Sequence, residues 1–546
     1  MRVSKRASAV ALGAAVALVA AGCGSGDSGG DSPAKTDGAI VIDGSQPEVG
    51  LVPANTTETG GGAIIDYLWT GLVEYPNEQG ANPKLAVAES IDTKDSKVYT
   101  IKIKKGTKFH DGTEVKAESF VKAWNWSAYS PNGAQNSSFF SDIQGFEDVQ
   151  SVDPDDDGPK KAPEPKAKEM SGLKVVDDHT FEVTLGSPFS IFPTKLGYSA
   201  FYPMPDAFFT QGADAFGKKP IGNGPWKFVS WQDNVEIKLT RNDDYTAGDK
   251  GKIKDVTVKL YQDAGAAYND LQAGNLDFQQ QVPTSALAGA KYKTDLSDRY
   301  IDVPNAATAL IAFPFYDKRF QNADLRRAVS LAVDRQSISD KIFSGSRKPA
   351  DSWANPLTPG AKSGNCTSCS YNPEEAKALL AKAGGFQGEM VFYYNADASH
   401  KEWMEAVAQS VKNTLGIEAR AEGVPTFAVF RQQINAKQMK GPYRAAWSQD
   451  YPDVENWIGP LYVTGGSSND GSYSNPEVDR LYKEATSAPT VDAAHAKFAE
   501  AVTFVDKDTP SIPIYFYGQQ SGFSDKIKKP ELNVKGEIDL ESVELK

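Results

Sequence analysis

Gly441-Pro442-Tyr443-Arg444-Ala445-Ala446-Trp447-Ser448-Gln449-Asp450-Tyr451-Pro452-Asp453 reads as a turn feeding a short extended segment, with Asp450 just past the end of a strand. Ligand sites favour such ends. The run sets one carboxylate among aromatic rings, where a buried charge needs a partner, and an amine is the natural one. The plainer reading is an aromatic core turn with a solvated Asp450.

The N-terminus speaks to compartment independently. Arg2, Lys5 and Arg6 precede an apolar run from Ala7 to Ala21, too short and Ala-rich for a permanent span, so 1–22 reads as a signal peptide. Val19-Ala20-Ala21-Gly22-Cys23 has the small residues and lone cysteine of a lipobox, with Ala20 where such motifs more often carry Leu. Cys23 would be lipidated and become the mature N-terminus, and 23–35, rich in Gly, Ser and Asp, would tether a soluble body to the outer face of the cell membrane. Plain secretion with Cys23 incidental is the alternative. No later segment is apolar enough to cross a bilayer.

With 546 residues, 40% hydrophobic and 10% aromatic, the chain has material for two or three cores. A net charge of −13 argues against a nucleic-acid partner, which requires a basic face. Cys366 and Cys369, spaced C-x-x-C in a Gly/Ser/Asn loop, most simply form a local disulfide in an oxidising compartment. Zinc would need two further ligands, and His110, His179, His400 and His495 are scattered. A redox role finds little support, since the pair does not open a helix after a strand.

Strands and helices alternate along the chain, an α/β pattern. Tyr99, Ile101 and Ile103 alternate with polar residues, as do Phe181, Val183 and Leu185, which predicts half-buried strands. Asn372-Pro373-Glu374-Glu375 predicts a capped helix start and Gly384-Gly385 its end; Asn475-Pro476-Glu477 repeats the start. Val478, Leu481, Tyr482 and Ala485, and Leu325, Ala328, Val329, Ala332 and Val333 after Asp324, form apolar stripes that mean core packing. No internal repeat is visible.

Asp153, Asp155, Asp157, Gly158 and Glu164 satisfy the spacing of a calcium loop, but Pro159, Pro163 and Pro165 oppose the exit helix and favour a solvated insertion. Gly26-Asp27-Ser28-Gly29-Gly30 spells a hydrolase elbow without a strand before it. No metalloprotease, phosphate-loop or dinucleotide fingerprint appears, so an enzyme has little to rest on and no cofactor is implied.

A series of landmarks carries a resemblance. Asn82-Pro83-Lys84-Leu85-Ala86, Gly106-Thr107-Lys108-Phe109-His110-Asp111-Gly112-Thr113, Asp178 to Leu185 and Gly222-Asn223-Gly224-Pro225-Trp226 come in order. Leu271 to Asp277, Leu325-Arg326-Arg327-Ala328-Val329 with Asp334-Arg335, Tyr371 to Ala376 and the tryptophan-x-x-aspartate-tyrosine run at Trp447 continue it. Together they resemble the extracellular solute-binding proteins of family 5, which deliver peptides to ATP-driven importers. Most of these positions are turn and capping chemistry: Gly222 and Gly224 permit tight backbone, and Gly274 closes a helix.

The resemblance implies a periplasmic-binding-protein-like fold of two lobes (type II, cluster C) with an extra domain on lobe one. Lobe one would combine 36–76, 189–303 and 507–546, the extra domain 77–188, and lobe two 304–506. It implies a monomer that hands peptide to permease subunits, with ligand trapped between closing lobes. Asp450 would receive the peptide's α-ammonium, Trp447 with Ala445, Ala446 and Ser448 would form a wall and strand edge, and Val49 in Gly44-Ser45-Gln46-Pro47-Glu48-Val49 would touch peptide. Tyr515 and Tyr517 are further candidates, against sheet packing of alternating aromatics. Glu422 to Phe427 lacks the tryptophan that some oligopeptide binders place there, which leaves peptide length and pocket shape open. Two rivals remain: the same fold binding a nickel chelate, haem, oligosaccharide or opine, and a surface peptidase.

Overall fold

Two 13-residue strands, Tyr300–Ala312 and Ser511–Phe523, pair antiparallel through the middle of an 11-stranded sheet. The computed structural model describes residues 37–78, 81–151, 163–396 and 399–546. On one side of the long pair stand Tyr443–Ser448, Met390–Asn395 and Ala419–Val424; on the other stand Phe278–Gln279, Gly38–Gly44, Ile253–Leu260, Glu236–Arg241 and Trp226–Gln232. Lys348–Pro349 adds a short strand beside Ser511–Phe523. The long ladder shifts register between Pro304 and Thr308 and again between Ala309 and Leu310. A proline has no N–H to give to a ladder, and a bulge bends the strand that carries it. The chain thus folds as an α/β protein of two lobes crossed by this pair. One core packs Ala309, Ile311, Ile512 and Ile514 under the helices Ala323–Leu331 and Lys401–Leu415.

A separate antiparallel sheet orders Ala88–Thr93, Val98–Ile103, Thr180–Thr184 and Leu173–Asp177. Its inward residues are those the alternation predicts: Tyr99, Ile101, Phe181 and Val183 are buried, with Ile101 opposite Phe181 and Tyr99 opposite Val183. The helix Ala117–Ala128 covers them, its Phe120 and Trp124 rings 5.8 and 5.6 Å from Phe181. Burying each such side chain contributes about 1.5–3 kcal/mol.

Helix punctuation is as the sequence predicts at two starts. Asn372 accepts from the Glu375 N–H at 3.2 Å to open Pro373–Lys382, and Asn475 accepts from Glu477 at 2.9 Å to open Pro476–Thr486. Before Leu325 the cap is Asn322, whose side chain accepts from Asp324 N–H at 2.9 Å; Asp324 falls inside the first turn.

Two sequence landmarks interlock. The Gly222 N–H donates to Nδ1 of His110 at 3.2 Å, the His110 N–H donates to the Gly222 carbonyl at 2.8 Å, and Nε2 faces the Gly224 carbonyl at 3.1 Å. Burial holds this imidazole down at about 4, as a ring that must both accept and donate while neutral. A Cβ on Gly222 would stand 1.9 Å from the carbonyl oxygen of Leu68, so only glycine fits against the end of the helix Thr59–Leu68.

The sulfurs of Cys366 and Cys369 lie 2.02 Å apart, in a loop held by Arg335 donating to the Cys369 carbonyl at 2.8 Å. The signal segment, Cys23, Asp153, Asp155 and Asp157 lie outside the described residues. Glu164 accepts from the Tyr129 hydroxyl at 3.3 Å. Among the described residues no helix is long and apolar enough to cross a membrane.

Candidate functional site

The strand Tyr443–Ser448 is registered with Tyr300–Ala312 from Tyr443 opposite Ala312 to Ser448 opposite Ala307. Its other edge meets Met390–Asn395 at a single registered pair, Tyr393 with Tyr443. Beyond that point, among the described residues, no strand pairs with the edge from Arg444 to Ser448. Met390–Asn395 runs parallel to both Tyr443–Ser448 and Ala419–Val424, so all three carboxyl ends reach one rim, the usual place for a ligand in such sheets. Arg444, Ala445, Ala446 and Trp447 are half-buried and Ser448 is exposed. Nε of Arg444 and Nε1 of Trp447 are buried donors without a hydrogen-bond partner among the described residues.

Asp450 sits two residues past this strand, half-buried. Its N–H donates to Oδ1 of Asn456 at 2.7 Å, and Nδ2 of Asn456 donates back to Oδ2 at 3.0 Å. Among the described residues no cation is ion-paired with it. Burial pushes its carboxyl up to about 6, against the opposing pull of the Asn456 amide and of Lys535 and Lys195. Both lysines are already paired: Lys195 with Asp142 at 2.5 Å, Lys535 with Asp66 at 2.5 Å. Tyr198 stacks on Phe139 at 4.2 Å, with the Lys535 ammonium 5.9 Å from its ring. The Asp450 charge helps keep the Tyr198 and Tyr75 hydroxyls protonated, after burial itself.

A second acid nearby is closed off. Glu455 is 3% exposed, and its oxygens accept from the hydroxyls of Tyr451 and Tyr482. Asp450 therefore keeps an oxygen, Oδ1, that no described residue engages. The Asp450 carboxylate is thus half-buried, with Oδ2 held by Asn456 and Oδ1 open.

Of the other predicted site residues, Val49 is 38% exposed in the loop that follows Gly38–Gly44. Tyr517 is half-buried and lines a cavity of about 620 Å³ with Pro304 and Gln520, apart from Trp447 and Asp450. Tyr515 is 4% exposed, with the rings of Phe343 and Trp403 at 4.9 and 5.7 Å. The Tyr515 ring is thus packed in the core of the sheet. Asn456, Lys195, Lys535, Tyr198 and Arg444 were not among the predicted site residues. Asn456 alone had a local signal, as a polar residue at the start of a helix just after the motif.

The chain combines two lobes crossed by paired strands with a half-buried carboxylate two residues past the strand Tyr443–Ser448. Residues 82–469 match the family model described as bacterial extracellular solute-binding proteins, family 5 Middle, and the chain belongs to that family. Its members bind solutes outside the cytoplasm and are not enzymes. The chain is similar to the oligopeptide-binding protein OppA of Bacillus subtilis, 26% identical over 94% of each chain. It is also similar to the periplasmic oligopeptide-binding protein OppA of Salmonella typhimurium, 29% identical over 80% of this chain and 79% of that one. Among solved structures, Haemophilus influenzae OppA in complex with RPPGFSPFR shares the fold with a TM-score of 0.77, at 23% identity over 94% of this chain and 99% of that one.

Proposed function

We propose that the protein captures peptides outside the cytoplasm and delivers them to the permease of an ATP-driven importer. The observation that carries this reading is the half-buried Asp450 carboxylate, tied by Asn456 on one oxygen and without an ion-pair partner among the described residues. It receives the ligand's α-ammonium. The unpaired edge at Ala445, Ala446, Trp447 and Ser448 offers main-chain hydrogen bonds to an extended peptide, and the exposed Val49 contacts it from the other lobe. The Arg444 guanidinium, whose Nε lacks a partner among the described residues, suits a ligand carboxylate. The names of the relatives, which describe oligopeptide binding, support the same ligand class.

The finer organisation follows the sequence reading. Lobe one comprises 36–76, 189–303 and 507–546, the extra domain 77–188 and lobe two 304–506, and the register shift after Pro304 supports a hinge there. Cys23 carries the lipid that holds a monomeric mature chain to the membrane, and Cys366 and Cys369 are disulfide-bonded in the exported protein.

The test is capture from a pool of synthetic peptides, read by mass spectrometry of material released on denaturation. Intact peptides in stoichiometric amount, with free amino termini enriched over acetylated ones, support the reading. Recovery of fragments, or of no peptide, contradicts it.

A further inference from the structure

Asn456 is 1% exposed, so each of its polar atoms needs a partner, and Asp450 supplies one for each end of the amide. We propose that Asn456 is the positioning residue of the site: its amide clamps Asp450 at backbone and side chain, leaving Oδ1 open and ionised for a ligand's ammonium group. This rests on the reading of Asp450 given above.

An amide is the side chain that does both jobs without charge. It accepts from a backbone N–H through its oxygen and donates to a carboxylate through its nitrogen. A lysine or arginine in its place would neutralise Asp450 and take over the ligand's role. An apolar residue would leave the acid favouring its protonated form. Asn456 favours the charge without cancelling it.

The clamp is held rigidly. The Asn456 N–H donates to the Asp453 carbonyl at 3.1 Å, and the Val454 N–H to the Pro359 carbonyl at 2.9 Å. Asp453 accepts from the Glu455 N–H at 2.9 Å and pairs with His495 at 2.9 Å, which fixes the start of the helix Glu455–Tyr462 against Val491–Asp508. The other charged and titratable groups facing Asp450 are Lys195 and Lys535, each paired with its own acid, and the hydroxyls of Tyr75 and Tyr198. Glu455, on the same segment, is occupied by its two tyrosines.

Infrared difference titration of the full-length protein without ligand, parent minus Asp450→Asn, isolates the Asp450 carboxyl band. In Asn456→Leu the midpoint is expected to rise by about one pH unit, and in the milder Asn456→Ser to rise in the same direction by less. A role confined to fold stability would lower the melting temperature and leave the midpoint where it was. A midpoint unmoved in both variants overturns the proposal, and Asn456→Ser keeps the test open if Asn456→Leu does not fold. A second arm uses a pool of free and N-acetylated peptides of two to five residues. Loss of free-amine capture in Asp450→Asn, with unmoved midpoints in the Asn456 variants, refutes the clamp alone. Undiminished capture by Asp450→Asn refutes the reading of the site itself.

Discussion

Tyr393 and Tyr443 stand opposite one another as the one registered pair between their two parallel strands. Past them, among the described residues, no strand pairs with the main-chain groups on this edge from Arg444 to Ser448, and Ser448 is exposed. Backbone N–H and C=O groups at such an edge are ready to pair with an added strand.

Methylating ligand amides should therefore cost affinity in an alternating pattern. Each N-methyl group that removes a ladder hydrogen bond is expected to weaken binding by about 0.5–1.5 kcal/mol, while neighbouring positions tolerate it. Titration calorimetry along a series of singly methylated peptides reads this directly. A flat series would remove the strand edge from the site.

Acidity at Asp450 gives a second test. The ammonium group binds the ionised carboxylate, and burial holds that carboxyl up at about 6, so affinity is expected to rise as pH passes from 5 to 7 and then level off. At pH 6 binding should release about half a proton, visible as a dependence of the calorimetric heat on the buffer's ionisation enthalpy. Stability of the ligand-free protein carries the opposite sign. The folded chain holds this proton more tightly than the unfolded chain, whose carboxyl titrates near 3.8, so the contribution of Asp450 to stability falls as pH rises from about 4 to 6.

His110 works the other way. Its imidazole titrates near 4 when folded against 6.5 when free, so the stability it contributes is complete above pH 6.5 and is lost as pH falls toward 4. Replacing it with Asn, which cannot take up that proton, should flatten this part of the melting-temperature profile. At the same junction Gly222→Ala drives a methyl into the Leu68 carbonyl and is expected to cost about 1–3 kcal/mol in urea unfolding.

Local chemistry was readable where a pattern had one physical outcome. The alternation at Tyr99 and Ile101, the caps at Asn372 and Asn475, and the extended segment ending before Asp450 each became the element expected. The surroundings of Asp450 were not readable, because Lys195 and Lys535 come from distant parts of the chain and each looks like an ordinary surface lysine in its own neighbourhood. Tyr515 shows a different limit. Alternation shows which aromatics share a face but not how far each is covered, and on this strand Tyr515 is buried while Tyr517, two residues on, is half-buried. Asn456 was hidden by its role, since an asparagine near a helix start reads as a cap until its partner is seen.

The most direct measurement compares one peptide with free and acetylated amino termini, titrated calorimetrically into the parent protein and into Asp450→Asn at pH 7.5. The parent is expected to prefer the free terminus by about 2–5 kcal/mol, and Asp450→Asn to lose most of that preference. Equal affinities for the two peptides in the parent would contradict the assignment of Asp450 as the ammonium receptor.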